Sequence, residues 1–323
     1  MGGLTRRQLV ERWEDSCSPE MLVGPSPFGL VDGREDFRGF HWTCPLDKWG
    51  FPKRVFSVSG QRVENVDLSY AEISPLTARE FTLTNSYAKR AKIFVADWTY
   101  GSVTDCEFDR CAIKGSMPWR LVAVERCVFR GCTFPKLFAF GARYEDCQAI
   151  DMRFNGPLGG SKDYPLLRNV TVSGKWKEFC VEETVEGDQL VGCDFSGVEF
   201  ETFAFLYGDV RKVKLPEGMQ RFVVVNWGDV RDSIAQKLEA LYESSSRGES
   251  AFRQASYARI LLERDLKGRH DSAPRARGAR YCDELKVVVD WGYSRNYLLE
   301  IYEDAGAEFM VDPRVNERHV DES

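Results

Sequence analysis

Apolar residues recur at every fifth position between Val63 and Phe154, and this period limits the possible folds more than any other feature of the chain. An amphipathic helix repeats its apolar positions every three or four residues, and a half-buried strand repeats them every two. Neither fits an interval of five, so the chain is predicted to be a repeat protein with a five-residue unit. The first run has eleven centres: Val63, Leu68, Ile73, Ala78, Leu83, Ala88, Ile93, Trp98, Val103, Phe108 and Ile113.

The period slips once and is interrupted once. Ile113 and Val124 are eleven residues apart, so one extra residue enters across Lys114–Leu121. An interruption follows from Asn155. The second run of centres is Val124, Phe129, Phe134, Ala139, Tyr144, Ala149 and Phe154, and the third is Leu190, Phe195, Phe200, Phe205, Val210 and Leu215.

Several units combine a small or apolar residue, an acidic residue and an apolar centre. The chain resembles the pentapeptide-repeat family, whose unit is A(D/N)LXX, over roughly residues 61–215. The resemblance implies a mainly β fold, a right-handed quadrilateral β-helix with four pentapeptides to a coil and the centres pointing inward. The closest matches are Val66-Asp67-Leu68, Ala71-Glu72-Ile73, Ala96-Asp97-Trp98, Cys106-Glu107-Phe108 and Cys193-Asp194-Phe195.

A coil of twenty residues explains the positions of most cysteines. With the one extra residue included, Cys106, Cys127 and Cys147 fall into one interior column, and Cys111 and Cys132 fall into a second. Stacked turns of a β-solenoid lie about 4.8 Å apart, so these thiols are expected to pack as small hydrophobic groups. Zinc sites use closely spaced pairs or converging Cys and His, which an interval of five does not provide. We therefore predict no metal site, and structural packing rather than disulfides.

The segments outside the repeat set the predicted domain boundaries. Residues 1–60 are expected to cap the first coil, beginning with an amphipathic helix that has Thr5 as N-cap and Gln8 in the capping-box position. Residues 61–220 form the β-helix, with an inserted loop near 155–185 as a candidate recognition element. The sequence 156–162 does not satisfy the phosphate-loop pattern. Residues 221–323 form a C-terminal helical region.

Three helices are predicted in the C-terminal region, over Val230–Tyr242, Phe252–Gly268 and Leu285–Trp291. The stretch resembles the helical region that follows the repeats in some bacterial members of the family, through Tyr242…Gly248 and Trp291-Gly292-Tyr293. The resemblance implies a bacterial protein and a possible homodimer formed through these helices.

No catalytic constellation is present in the sequence. The three histidines, His41, His270 and His319, are isolated, and His41 is expected to be buried among aromatic residues. We predict a protein that is not an enzyme and has no cofactor. No run of apolar residues could span a membrane, and the first residues lack the apolar core of a signal peptide, so a cytoplasmic location is expected.

The predicted function is a non-enzymatic scaffold that binds another protein through solenoid faces, the inserted loop and the C-terminal helices. Some family members mimic DNA and bind gyrase, which gives a first alternative. Residues 61–113 hold eight acidic and six basic residues, which is close to neutral for such mimicry. An immunity or defence-related protein is a second alternative, and an enzyme with a cleft on the β-helix is the least favoured. Nucleic-acid binding is not expected at a net charge of −6.

Overall fold

The computed structural model describes residues 4–13, 17–44, 55–115, 122–134, 142–154, 166–182, 190–206, 213–216, 219, 223–244, 286–287 and 295–309. The chain divides into two compact units. Unit 1 comprises Met1–Glu178 and Leu190–Glu199, and unit 2 comprises Phe179–Gln189 and Phe200–Ser323. The fold is mainly β, with a parallel β-solenoid of about five turns.

The regular turns of the solenoid repeat a pattern of a first strand, a middle strand and a third strand. In β7 and β10 two consecutive pentapeptides form one eight-residue third strand. The strands in chain order are β5 (Arg62–Glu64), β6 (Val66–Asp67), β7 (Glu72–Arg79), β8 (Thr82–Thr84), β9 (Tyr87–Lys89), β10 (Lys92–Thr99), β11 (Ser102–Thr104), β12 (Glu107–Asp109), β13 (Ala112–Gly115), β14 (Ala123–Glu125), β15 (Val128–Arg130), β16 (Thr133–Phe134), β17 (Arg143–Glu145) and β18 (Gln148–Phe154).

Corresponding strands of successive turns pair in parallel, so residues of the same kind stack along the solenoid. Asn65 and Asn85, which share a hydrogen bond, are 20 residues apart, as the five-residue period predicts. From Val103 to Val124 the step is longer by one, and the backbone N–H of Cys111 donates a hydrogen bond to the thiol of Cys132, 21 residues away. Strands β10 and β13 keep the shorter step. The extra residue therefore lies between Gly115 and Ala123, and the predicted slip is confirmed.

The corners between strands use left-handed backbone, two residues after a repeat centre. Asn and Asp tolerate this conformation better than other residues that have a Cβ. They occupy most positions of one corner column, where φ lies between 47° and 59°. The members of this column are Asn65, Asn85, Asp105, Arg126, Asp146 and Asn169.

Residues before Gln61 also form strands that pair with the solenoid. These are β1 (Leu30–Val31), β2 (Arg34–Asp36), β3 (His41–Thr43) and β4 (Phe56–Ser57). β2 lies parallel to β6, while β3 and β4 lie parallel to β7. The sequence showed no repeat here because the segment between β3 and β4 removes the five-residue phase. The backbone ladder thus begins upstream of the predicted boundary at residue 60.

The N-terminal helix packs on this first turn. α1 (Arg6–Glu11) has Thr5 as N-cap with the reciprocal bonds of a capping box to Gln8, as predicted. Leu9 is 2% exposed. The backbone of Gly39 passes so close beneath that a Cβ there would lie 2.4 Å from the Leu9 carbonyl oxygen. A short 3-10 helix (Pro19–Val23) follows and contacts β5.

The predicted inserted loop near 155–185 is corrected by the structure over residues 166–182. These residues form β19 (Leu166–Arg168) and β20 (Thr171–Glu182), which pair in parallel with β17 and β18. Leu167 and Val172 keep the interval of five, but a register shift then brings Trp176 inward opposite Phe154. This bulge hid the strands from a count by fives. The ladder continues through β21 (Leu190–Val191) and β22 (Cys193–Leu206).

The core of the solenoid is made of the repeat centres. Aromatic rings stack from turn to turn, with 5.0 Å between the ring centroids of Phe108 and Phe129. Ile93 and Phe200 are half-buried, and the side chain of Phe205 lies outside the described residues. The other predicted centres are at most 6% exposed: Leu68, Ile73, Leu83, Trp98, Phe108, Ile113, Phe129, Phe134, Tyr144, Phe154 and Phe195.

The described residues of unit 2 form both strands and helices. Its described elements are β23 (Val213–Lys214), β24 (Val223–Val224), α2 (Trp227–Ser244), β25 (Lys286–Val287) and α3 (Arg295–Asp304). The rings of Trp227 and Tyr302 stack with centroids 6.1 Å apart and join the two helices. The first predicted helix is confirmed as α2, and the second, Phe252–Gly268, lies outside the described residues.

The third predicted helix, Leu285–Trp291, is wrong at its described residues. Lys286–Val287 form β25, which pairs antiparallel with β24. The run of three valines from Val287 favours a strand, because β-branched side chains lose rotamer freedom in a helix.

Candidate functional surface

The predicted cysteine columns lie inside the solenoid. Cys106, Cys127 and Cys147 are at most 2% exposed, and so are Cys111 and Cys132. Each thiol donates to main-chain carbonyls, as Cys127 does to Val103 at 3.4 Å. These five cysteines, and Cys17, Cys44 and Cys193, are free thiols. Small, weakly polar side chains therefore fill positions where the backbone leaves little room.

Burial and mutual hydrogen bonding keep most of these thiols protonated. The hydrogen bond with Cys106 raises the pKa of Cys127 to about 12. Burial raises the pKa of Cys193 to about 11. A hydrogen bond with Cys127 raises the pKa of Cys147, and another hydrogen bond with Cys127 lowers the pKa of Cys106. Because the thiolate is the nucleophile and the metal ligand, the columns are poorly suited to either role.

Thiol labelling should separate the interior cysteines from the half-buried ones. At about pH 8, N-ethylmaleimide is expected to modify Cys17 and Cys44 well before Cys127 or Cys193, as followed by peptide mass spectrometry. The folded pKa values of about 11 and 12 exceed the unfolded value of about 8.5. The stability gained from these protonated thiols is therefore complete below about pH 8.5 and is lost as the pH rises through about 11 to 12. Labelling of Cys127 in the folded protein as fast as Cys44 would contradict this picture, and labelling in urea provides the control for reactivity.

A buried ion cluster that the sequence did not reveal joins α1 to the first turn. Asp36 is 4% exposed and receives two hydrogen bonds from the Arg12 guanidinium, at 2.6 and 3.0 Å. Arg38 donates two more from its side chain, each at 2.9 Å. Burial alone would raise the pKa of Asp36, but the hydrogen bonds from Arg38 and Arg12 hold it well below its usual range. Trp13 completes the contact by donating its indole N–H to the Arg38 carbonyl at 2.9 Å.

The acidic position of the repeat has a local structural role. Asp67 accepts from the backbone N–H of Ser69 at 2.8 Å, and Asp194 accepts from that of Ser196 at 2.9 Å. Each carboxylate thus closes a short turn after its strand. In these two units the acid therefore shapes the corner of the solenoid.

The described strands of the solenoid present three outward faces. The first-strand face comprises the outward side chains of β5, β8, β11, β14, β17 and β19. The middle-strand face comprises those of β6, β9, β12, β15 and the start of β18. The long-strand face comprises those of β3, β7, β10, β13, β16, residues 152–154 of β18, residues 174–177 of β20 and Glu199.

Charges on the first two faces and at the corners pair with one another. On the middle-strand face, Lys89 and Asp109 of adjacent turns are 3.6 Å apart, and Arg130 and Glu107 are 3.5 Å apart. On the first-strand face the pairs lie within one strand, as in Arg62–Glu64 at 3.2 Å and Arg143–Glu145. Arg126 binds Asp105 in the corner column through two bonds of 2.7 and 2.9 Å.

The long-strand face has a different charge pattern. Lys92, Lys114, Arg153, Lys175 and Lys177 are all exposed on it. Lys92 pairs with Glu72 at 3.3 Å, and Lys175 pairs with Glu199 at 3.1 Å. Lys114 and Arg153 have no ion pair among the described residues. The long-strand face is therefore the most basic of the three.

The other predicted functional elements are placed in part. His41, expected to be buried, is exposed on β3 because strand alternation turns its side chain outward while Phe40 is fully buried. His270, His319 and residues 155–165 and 183–189 of the predicted loop lie outside the described residues. Among the residues that are described, no three His, Cys, Asp or Glu side chains are arranged to hold a metal ion.

No protein-family model matches the chain, and no curated protein matches it either. The resemblance to pentapeptide-repeat proteins stays a prediction, which the parallel solenoid supports at the level of the fold. No helix in the described part of the chain is long and apolar enough to cross a membrane.

Proposed function

We propose that this protein is a non-enzymatic scaffold that binds another protein through an outward face of its solenoid. The observation that carries the proposal is the difference between the interior side chains and the outward ones. The described thiol columns and the Asp36 cluster make their hydrogen bonds within the protein and stabilise its turns. The outward side chains form flat rows about 4.8 Å apart. Such rows make a rigid, extended binding surface, which is how solenoid proteins commonly act.

The ion pairs between turns argue against the DNA-mimic alternative. A mimic needs carboxylates that stand free in the positions of phosphates, but Asp105, Glu107 and Asp109 are each paired with a basic residue of a neighbouring turn. Exposed pairs of this kind add little stability. Their effect on a ligand is larger, because they cancel the field that would have to imitate DNA.

Cross-linking of the full chain in its native host should test the scaffold function. With a lysine-reactive cross-linker, affinity purification is expected to recover one enriched partner linked to outward lysines such as Lys89, Lys92 or Lys114. The same tag on an unrelated protein is the control. If no protein is enriched over that control, or if the links to an enriched partner avoid the solenoid, the proposal fails.

A further inference from the structure

We infer that the long-strand face binds an acidic, extended segment of another protein. This inference rests on the proposed scaffold function and names the face and the chemistry of the partner.

The sign of the charge is the first observation. The described outward positions of the long-strand face from β10 onward carry Lys92, Lys114, Arg153, Lys175 and Lys177, against Asp97 and Glu199, and Glu72 of β7 pairs with Lys92. All five basic residues are exposed. The other two faces neutralise themselves through pairs such as Lys89–Asp109 and Arg143–Glu145. Among the described residues, Lys114 and Arg153 therefore leave the long-strand face with positive charge that an anionic ligand can meet.

The register of Arg153 is the second observation. It lies directly opposite Lys175 on the neighbouring strand. Like charges opposite one another destabilise a sheet, so this arrangement has an energetic cost in the free protein. Glu199 offsets the charge of Lys175, and no described acid offsets that of Arg153. A carboxylate from a partner would remove the repulsion, which makes its binding more favourable.

The small size of the side chains between the cations is the third observation. Lys92, Ala112, Thr133 and Arg153 stack in one column across four successive strands. Ala112 and Thr133, between the two cations, are half-buried. Three steps of about 4.8 Å, or about 14 Å in all, separate Lys92 from Arg153, and a strip of two small side chains lies between these cations. Phe94, which is 37% exposed, borders this strip opposite Lys114. The strip offers shallow apolar contact, and the cations at its ends offer charge.

An acidic protein segment fits this face better than a nucleic acid does. The whole chain has a net charge of −6, so a long polyanion finds no net attraction beyond the long-strand face. A short extended segment needs only the face itself. Its alternate side chains can place carboxylates at the basic residues and apolar groups on Phe94 and Ala112.

Binding of a synthetic peptide tests the inference directly. The probe is a fluorescein-labelled peptide of about twelve alternating Glu and Val residues, long enough to cover the strip. Fluorescence anisotropy should show saturable binding to the full chain that weakens as salt is added. The double variant Lys114→Glu with Arg153→Glu should bind at least about tenfold more weakly, a loss of about 1.4 kcal/mol.

A matched variant guards against a general effect of charge. Arg62→Glu with Arg143→Glu makes the same change of charge on the first-strand face and should bind like the unaltered protein. Circular dichroism confirms the fold of both variants, since all four side chains are exposed.

Three results would overturn the inference: no binding of the peptide, equal loss in both double variants, or tighter binding of a DNA duplex of about twenty base pairs. If the peptide fails while a cross-linked partner is recovered, this inference is wrong and the scaffold function stands. If no partner is recovered, the scaffold function itself fails.

Discussion

Replacing Asp36 by asparagine should destabilise the solenoid by about 3 kcal/mol, the size expected when one partner of a buried ion pair is removed. The side chains of Asp36 and Arg12 are 6% and 13% exposed, so two guanidinium groups would lose their counter-charge in a region with little water. The first structural consequence should be release of α1. Urea unfolding measures the free energy, and trypsin cleavage after Arg12 in the otherwise folded protein reports the release.

The pH dependence distinguishes loss of charge from a change of shape. Since the pKa of Asp36 is depressed in the folded protein, its contribution is present above the unfolded value of about 3.9 and is lost as the pH falls through the folded value. The difference between the unaltered protein and Asp36→Asn should therefore shrink below about pH 4. Asp105→Asn is the matched control, because Asp105 also binds an arginine through two bonds but is exposed. Equal destabilisation by the two substitutions would show that the buried cluster has no special role.

Replacing Gly174 by alanine should destabilise the protein by about 3 kcal/mol or more, through overpacking and a left-handed backbone. Gly174 has φ +111°, and a Cβ there would lie 2.3 Å from the carbonyl oxygen of Met152 and 2.4 Å from its backbone nitrogen. Backbone atoms in a paired strand cannot move aside as a flexible side chain can. The register shift between β18 and β20 would have to be lost, and Trp176 would leave its place against Phe154.

Gly24→Ala is the control for the glycine substitution, because nothing lies within 4 Å of its Cβ position and its φ is not left-handed. It should change the stability by less than about 0.5 kcal/mol. Circular dichroism in urea gives both unfolding midpoints. If Gly174→Ala unfolds at the same midpoint as Gly24→Ala, the bulge can accept a side chain and the predicted clash is wrong.

The five-residue period predicted the solenoid, its inward residues and the position of the one-residue slip. These depend on which residues are apolar at which interval, and the sequence states that directly. The first turn was missed because Phe40 and Phe56 belong to the same turn but are separated by a segment that removes the phase. The strands at 166–182 were missed for a related reason, the bulge before Trp176.

The features of the surface were less accessible from sequence. The number of residues in the intervening turn decides whether Arg126 binds Asp105 and whether Arg153 lies opposite Lys175. The Asp36 cluster forms only because α1 packs back on the first turn, and no local sequence pattern predicts a contact between Arg12 and Asp36. The sequence predicted which residues point outward, but which of their charges form pairs depends on the register between stacked strands.

The variable length of the turns has a consequence for how such a chain can change. The step between stacked residues is 20 for Asn65 and Asn85, 21 for Cys111 and Cys132, and 23 for Asp146 and Asn169. Each turn finds its place from the turn beneath it, so additional residues at a corner do not displace the turns that follow. A foreign peptide inserted between Gly115 and Ala123 would therefore leave the register of the later turns unchanged. The molecule can thus acquire new contacts by lengthening a corner while its interior stays unchanged.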